Sequence, residues 1–286
     1  MYRITTDSAC DIKPHLLKEW GVAYRPLTLK FEDEDRILSD DGVDVGQFYE
    51  RMKQGGVAKT QAVNVEGFLS LFDPILQAGE DILHLGFSSG LSTTYNSARL
   101  AAAQLSEKYP ERTILTLDTL QASAGFGLIV YLTAMKQKEG ASLREAYDFA
   151  ADISPRTCAW FTVDDLVYLK RGGRISPAAA FVGNALGIKP VMHVDDEGHL
   201  INRFKVRGRK TAVASLADQY GNLAVDPEGG VVFISHASAD KDVAELSSLL
   251  SSRYGAKVAL VTDVGPVIGS HSGPGTLALF FIGKQR

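Results

Sequence analysis

Short apolar runs alternate with helical patterns through the first half of this chain, and no other feature narrows its fold as far. Residues 2–6, 22–29, 82–87 and 113–117 read as strands, most of them ending where Ser, Thr, Asp or Gly begins. Between them, Asn64 stands where an N-cap would open a helix with Phe68, Leu71, Phe72 and Ile75 on its apolar face. Residues 92–109 place Tyr95, Ala98, Ala102, Leu105 and Tyr109 at spacings of three and four, an amphipathic helix. Residues 123–138 and 142–153 add two more helices, parted by Gly140. Such alternation predicts a mostly parallel sheet flanked by helices.

The pattern changes after Pro155. Residues 188–194 and 200–207 flank Asp195-Asp196-Glu197-Gly198, a strong hairpin signal. Helical patterns at 211–220 and 241–254 then mix with strands at 230–235, 257–262 and 277–282. A chain of 286 residues fits two domains of about 100–200 residues each. The expectation is an α/β protein of two domains: residues 1–157 around a mostly parallel sheet, and residues 158–286 as a mixed α/β sheet domain.

Composition decides which functions are open. Apolar residues at 45% and charged residues at 22% suit an ordinary soluble core. The apolar runs at 124–134 and 277–282 fall short of the ~20 residues that span a bilayer. Residues 1–7 lack the apolar stretch of a signal peptide, so a cytoplasmic address is expected. A net charge of −4 offers no general attraction for nucleic acid. Cys10 and Cys158 stand far apart without CxxC spacing, and read as small buried hydrophobes rather than a disulfide or zinc site.

Ligands of open α/β sheets collect beyond the carboxyl ends of the strands. Three donor-rich segments qualify: 59–64 before a helix, 88–94 between a strand and a helix, and the glycine-rich run 265–275 around His271. Ser92 and Thr93 at a helix N-terminus suit a carboxylate or oxyanion, although Ser92 also reads as a simple N-cap. Gly269 and Gly273 allow either close backbone approach to a ligand or tight turning. Ser92, His271 and Asp7 suggest a serine hydrolase as the alternative function, but 90–94 lacks the second glycine of G-x-S-x-G. No phosphate-binding glycine motif follows a strand in the first half, and Gly125-Phe126-Gly127 reads as close helix packing. Arg203, Lys205 and Arg207 share one strand face, which is a solvated surface, a dock for an acidic partner, or a contact from Arg207 to a ligand carboxylate or phosphate. Lys170-Arg171-Gly172-Gly173-Arg174 marks an inter-domain turn.

In this order, the segments resemble the DegV family over nearly the full chain. The motifs are Thr5-Thr6-Asp7-Ser8-Ala9-Cys10-Asp11, Lys59-Thr60 with Val63-Asn64, and Ser88-Ser89-Gly90-Leu91-Ser92-Thr93-Thr94-Tyr95-Asn96-Ser97-Ala98. Asp118-Thr119 with Ser123, Gly125 and Gly127 follows, then Tyr168-Leu169 running into Lys170–Ile175, and finally 265–275. The resemblance implies a non-catalytic carrier with one long-chain fatty acid between its domains. It implies that Thr60, Ser92 and His271 hold the carboxyl group, with Thr93, Gly269, Gly273 and Arg207 around the ligand, and that no metal or other cofactor is needed. A separate fatty-acid kinase subunit is the implied partner, and transient membrane contact is compatible with that role. Gln61-Ala62 and Thr93 depart from the family's usual Ser-Gln and Gly, which touches the details of head-group geometry. Phe161, Phe181, Val182, Leu186, Ile188, Phe280 and Phe281 are the apolar material from which a tunnel or a core would be built.

Overall fold

The computed structural model describes residues 1–176 and 187–286. Phe181, Val182 and Leu186 lie outside the described residues. The chain opens with β1 (Tyr2–Asp7), α1 (Pro14–Trp20) and β2 (Ala23–Arg25). Three short strands follow, β3 (Thr28–Phe31), β4 (Leu38–Ser39) and, after α2 (Val45–Lys53), β5 (Ala58–Gln61). Then come α3 (Val65–Gln77), β6 (Asp81–Gly86), α4 (Thr94–Lys108), β7 (Ile114–Asp118), α5 (Ser123–Lys138) and α6 (Leu143–Ile153). As the alternation predicts, β2-β1-β6-β7 form a sheet in which every pairing is parallel. Asn64 caps α3 by accepting the Gly67 amide at 2.9 Å.

The expected strand at 22–29 is two strands in two sheets. Pro26 has no N–H and a fixed φ, so it cannot carry the parallel ladder past Arg25. The chain turns there, and β3 becomes the centre of a separate antiparallel sheet, β4-β3-β5. Residues 59–64 are accordingly part strand, with Lys59, Thr60 and Gln61 on β5.

The remaining elements are β8 (Thr157–Thr162), α7 (Val167–Arg171), β9 (Ile188–Val194), β10 (Leu200–Arg207) and α8 (Arg209–Leu223). The chain closes with β11 (Val232–His236), α9 (Asp240–Tyr254), β12 (Val258–Asp263), α10 (Pro266–Ser272) and β13 (Leu277–Ile282). They form a six-stranded sheet, β10-β9-β8-β13-β11-β12, antiparallel except for the parallel β11–β12 pair. β9 and β10 make the expected hairpin, and Gly198 supplies the positive φ of 78° in its turn. That turn docks on the first half of the chain, where Ser88 Oγ donates to the Gly198 carbonyl at 2.9 Å.

The mixed sheet has different partners on its two faces. Phe161 and Phe280 face inward and share a core with Ile4, Leu83 and Leu85 of the parallel sheet. Trp160 and Phe281, one residue along, face outward into a second core with Val213, Leu216 and Leu250 of α8 and α9. Phe281 is therefore core packing; each such side chain contributes about 1.5–3 kcal/mol. α5 follows the parallel sheet in sequence but lies against β8, β11 and β13 of the mixed one. Its glycines permit that seat. A Cβ on Gly125 would stand 2.6 Å from Phe280, and one on Gly127 would stand 2.6 Å from Ile12 and 2.7 Å from the Cys10 carbonyl. Cys10 and Cys158 are buried and free.

Candidate functional site

A cavity of about 490 Å³ opens where the inner face of the mixed sheet meets β5, α10 and the loop before α4. Its apolar wall includes Leu27, Phe87, Phe161, Val267, Ile268 and Phe280. Ile188, Phe281 and Arg207 are not among the lining residues.

One polar cluster is assembled from elements distant in sequence. On β5, alternation turns Thr60 inward while Lys59 and Gln61 face out. Thr60 Oγ1 lies 2.9 Å from His271 Nε2. His271 sits near the end of α10, a short helix with Pro266 in its first turn and Gly273 at φ 79° closing it. Gly269 and Gly273 do not line the cavity; they seat the helix. A Cβ on Gly269 would fall 2.2 Å from the Tyr49 hydroxyl, and one on Gly273 2.3 Å from the Tyr168 ring. The ring of His271 fits because residue 172 is glycine, where a Cβ would lie 2.1 Å from Nδ1. Burial lowers the His271 pKa to about 4, assisted by the nearby charge of Arg174, so the imidazole is neutral at pH 7.

Ser92 and Thr93 also line the cavity. Ser92 Oγ is 2.9 Å from Thr94 Oγ1 and accepts the Thr94 amide at 3.2 Å. Thr93 is the N-cap of α4 but makes no side-chain capping bond. Its hydroxyl therefore owes nothing to the helix.

Arg174 is the residue that sequence reasoning passed over, although it lay in the quoted run from Lys170 to Arg174. Among the described lining residues it alone carries a full charge at pH 7. Its guanidinium donates to the Leu91 carbonyl at 3.2 and 3.1 Å and to the Gly172 carbonyl. No carboxylate pairs with it among the described residues, and burial lowers its pKa. A half-buried cation facing an apolar cavity is an anchor for an anionic head group. The glycines in that run, of which Gly172 lies against the imidazole, were the only signal available for this role.

The remaining predicted groups lie elsewhere. Arg207 is exposed on β10. Asp7 is buried and accepts the amides of Ala9 and Phe87, both at 3.1 Å. Since His271 is bonded to Thr60 and Ser92 to Thr94, these bonds do not assemble a Ser92–His271–Asp7 relay. No group of three or more metal-ligating side chains is found among the described residues. None of the described helices is long and apolar enough to cross a membrane.

Comparisons with known proteins match this architecture. The family model described as "Uncharacterised protein, DegV family" covers residues 1–284. A DegV domain-containing protein of Clostridium perfringens is 38% identical over 284 residues, covering 99% of this chain and 98% of its own length. Among solved structures, a DegV lipid-binding protein of Thermotoga maritima shares 30% identity at a TM-score of 0.86, covering 100% of both chains. A fatty-acid-binding DegV family protein of Thermus thermophilus shares 28% identity at 0.87, over 99% of each chain. A stearic-acid-binding protein of Eubacterium ventriosum shares 25% at 0.89, again over 99% of each. With its family model matched from the first residue to the 284th, this chain belongs to the DegV family.

Proposed function

We propose that this protein binds one long-chain fatty acid and carries it without doing chemistry on it. The acyl chain fills the 490 Å³ cavity between two domains, 1–157 and 158–286, and the carboxyl group lies among Thr60, Ser92, Thr93, His271 and Arg174. The observation that carries this reading is the placement of that one polar cluster, with a guanidinium that no described carboxylate pairs, on a largely apolar cavity. The solved relatives that bind stearic and other fatty acids support it.

The energetics divide the labour. Burying a methylene is worth about 0.8 kcal/mol, so ~14 of them contribute roughly 11 kcal/mol as an upper bound. Neutral hydrogen bonds from Thr60 and Ser92 net about 1 kcal/mol each, and a charge-assisted one from Arg174 about 1.5–3 kcal/mol. The chain supplies affinity; the cluster supplies orientation. A carboxyl group oriented by one guanidinium and several small neutral donors suits presentation to a partner. We assign that partner as a fatty-acid kinase subunit, met in the cytoplasm.

Organic extraction of the denatured protein, followed by mass spectrometry, tests the ligand. A near-stoichiometric long-chain acid is expected. An extract that stays empty after incubation with mixed fatty acids would overturn the reading. In the folded protein, Ser92→Ala should slow phosphorylation of the bound acid by an added kinase subunit more than it reduces bound lipid. Complete loss of lipid from that variant would show that the cluster, not the chain, holds the ligand.

A further inference from the structure

The cavity has a second polar patch, at the opposite end of α10 from the head-group cluster. Thr60 and Ser272 mark the C-terminal end with His271, whereas Ser123 and Ser235 gather on the side of Asp11. Asp11 stands beside Gly265, the N-cap of α10, where a Cβ would be 2.6 Å from its Oδ1. At 1.5 Å per residue the two ends of this helix are about 9 Å apart.

Ser235 belongs to the floor of the cavity by register. Phe161 pairs with Ala278, and Ala278 with Ser235, so all three side chains stand on one face of the mixed sheet. Ser235 is fully buried and Ser123 is 6% exposed. Ser123 opens α5 with a φ of 52°, a conformation that L side chains rarely adopt. In that strained position its Oγ donates to Asp11 Oδ2 at 2.5 Å and lies 2.9 Å from Ser235 Oγ. Thr262, next in the Ser235 row, ties the same aspartate in place by donating to the Asp11 carbonyl at 2.8 Å.

Counting protons fixes what this patch offers. With Asp11 ionised, Ser123 gives its single O–H to the carboxylate and Ser235 donates to Ser123; with Asp11 protonated, the carboxyl group can donate to Ser123 and Ser123 to Ser235. Ser235 keeps both lone pairs in the first arrangement and one in the second, and it is among the residues that line the cavity. An unsubstituted acyl chain would cover them and return nothing. A hydroxyl on the chain would donate to them.

Resting on the fatty-acid reading above, we infer that Ser123 and Ser235 form a second subsite, which accepts a fatty acid bearing a hydroxyl group partway along its chain.

Displacement of a fluorescent fatty acid from the delipidated full-length chain tests this, using octadecanoic acid and a series of its monohydroxy positional isomers. One isomer, or two neighbouring ones, should bind at least as tightly as octadecanoic acid. The others should bind at least about tenfold more weakly, the cost of burying a hydroxyl without a partner. Ser235→Ala should reduce the ratio of the two affinities, preferred isomer over octadecanoic acid, by about tenfold. If every isomer binds more weakly than octadecanoic acid, or the ratio does not change in Ser235→Ala, the serines only brace the sheet and the inference falls. Should Ser235→Ala fail to fold, the isomer series on the unaltered chain decides. Binding of octadecanoic acid without any hydroxylated isomer would sink this inference alone; binding of no acid at all would sink the fatty-acid reading with it.

Discussion

Gly269 lies within α10, where alanine is ordinarily better for a helix by about 1 kcal/mol. Here the added methyl would meet the Tyr49 hydroxyl at 2.2 Å and its ring at 2.8 Å. Tyr49 is fully buried and donates to the Val264 carbonyl at 2.7 Å, so it cannot retreat without losing that bond. Overpacking of this kind costs about 1–3 kcal/mol and outweighs the gain in propensity. Gly269→Ala should therefore lower the urea midpoint and, by tilting the helix that carries His271, weaken lipid binding. An unchanged midpoint would mean that Tyr49 yields freely. The same residue shows how a glycine quoted for ligand approach proves to serve packing. Sequence shows that a side chain is missing, but only the neighbour, ligand or tyrosine, says why. Ser92, Thr93 and His271 stood out as hydroxyls and an imidazole in helix-opening or glycine-rich segments, with N-capping and a structural histidine as the alternatives, whereas Thr60 was singled out by the DegV resemblance. Arg174 was not, since a surface arginine and a cavity arginine read alike.

Among the elements, α5 has the most specific placement. Its two glycines face different neighbours, and the difference makes a prediction. A methyl on Gly127 meets the backbone carbonyl of Cys10 at 2.7 Å, which has nowhere to go, whereas one on Gly125 meets the Phe280 ring at 2.6 Å, which borders the cavity. Gly127→Ala should cost about 1–3 kcal/mol of stability with little change in ligand preference. Gly125→Ala should cost less and push Phe280 into the cavity, favouring shorter acyl chains in a competition assay. Equal losses of stability with no change in chain preference would refute the distinction. α3, α4 and the β9–β10 hairpin were legible from periodicity and turn residues alone. α1, α2 and the division of 22–29 were not, because runs of three or four apolar residues fit either period and Pro26 only breaks a ladder once a ladder exists.

At the scale of the molecule, buried titratable groups of opposite kinds act against each other as pH changes. Burial lowers the pKa of His84 to about 3 and of His193 and His271 to about 4. Their unfolded value is about 6.5, so the stability of the neutral forms is present above that pH and lost as pH falls toward 4. Burial raises Asp7 to about 7 and Asp40 to about 6, against the hydrogen bonds each receives, and raises Asp11 as well. The contribution of Asp7 and Asp40 is fully present below about 3.9 and is lost as pH rises through 6 to 7. The two sets offset one another between pH 4 and 6. Above about 6.5 only the carboxyl groups remain in play. The urea midpoint should therefore vary little from pH 4 to 6 and fall from pH 6.5 to 8. A midpoint that stays level over the upper interval would show that the amides of Phe87 and Val267 hold Asp7 and Asp40 ionised despite burial.

Sequence by itself determined the α/β class, the parallel first sheet and mixed second one, the hairpin, and the three donor-rich segments that border the cavity. These follow from local rules: periodicity within one element, turn residues within four positions, and polar residues clustered beside a strand end. Tertiary structure alone decided that β3 leaves the parallel sheet, that α5 packs against strands of the other half, and that Arg174 rather than Arg207 faces the cavity. It also brought Thr60 within 2.9 Å of His271, across 211 positions of chain. Contacts of that range are set by which faces are buried against each other, and burial is a property of the assembled layers that no short window of sequence contains.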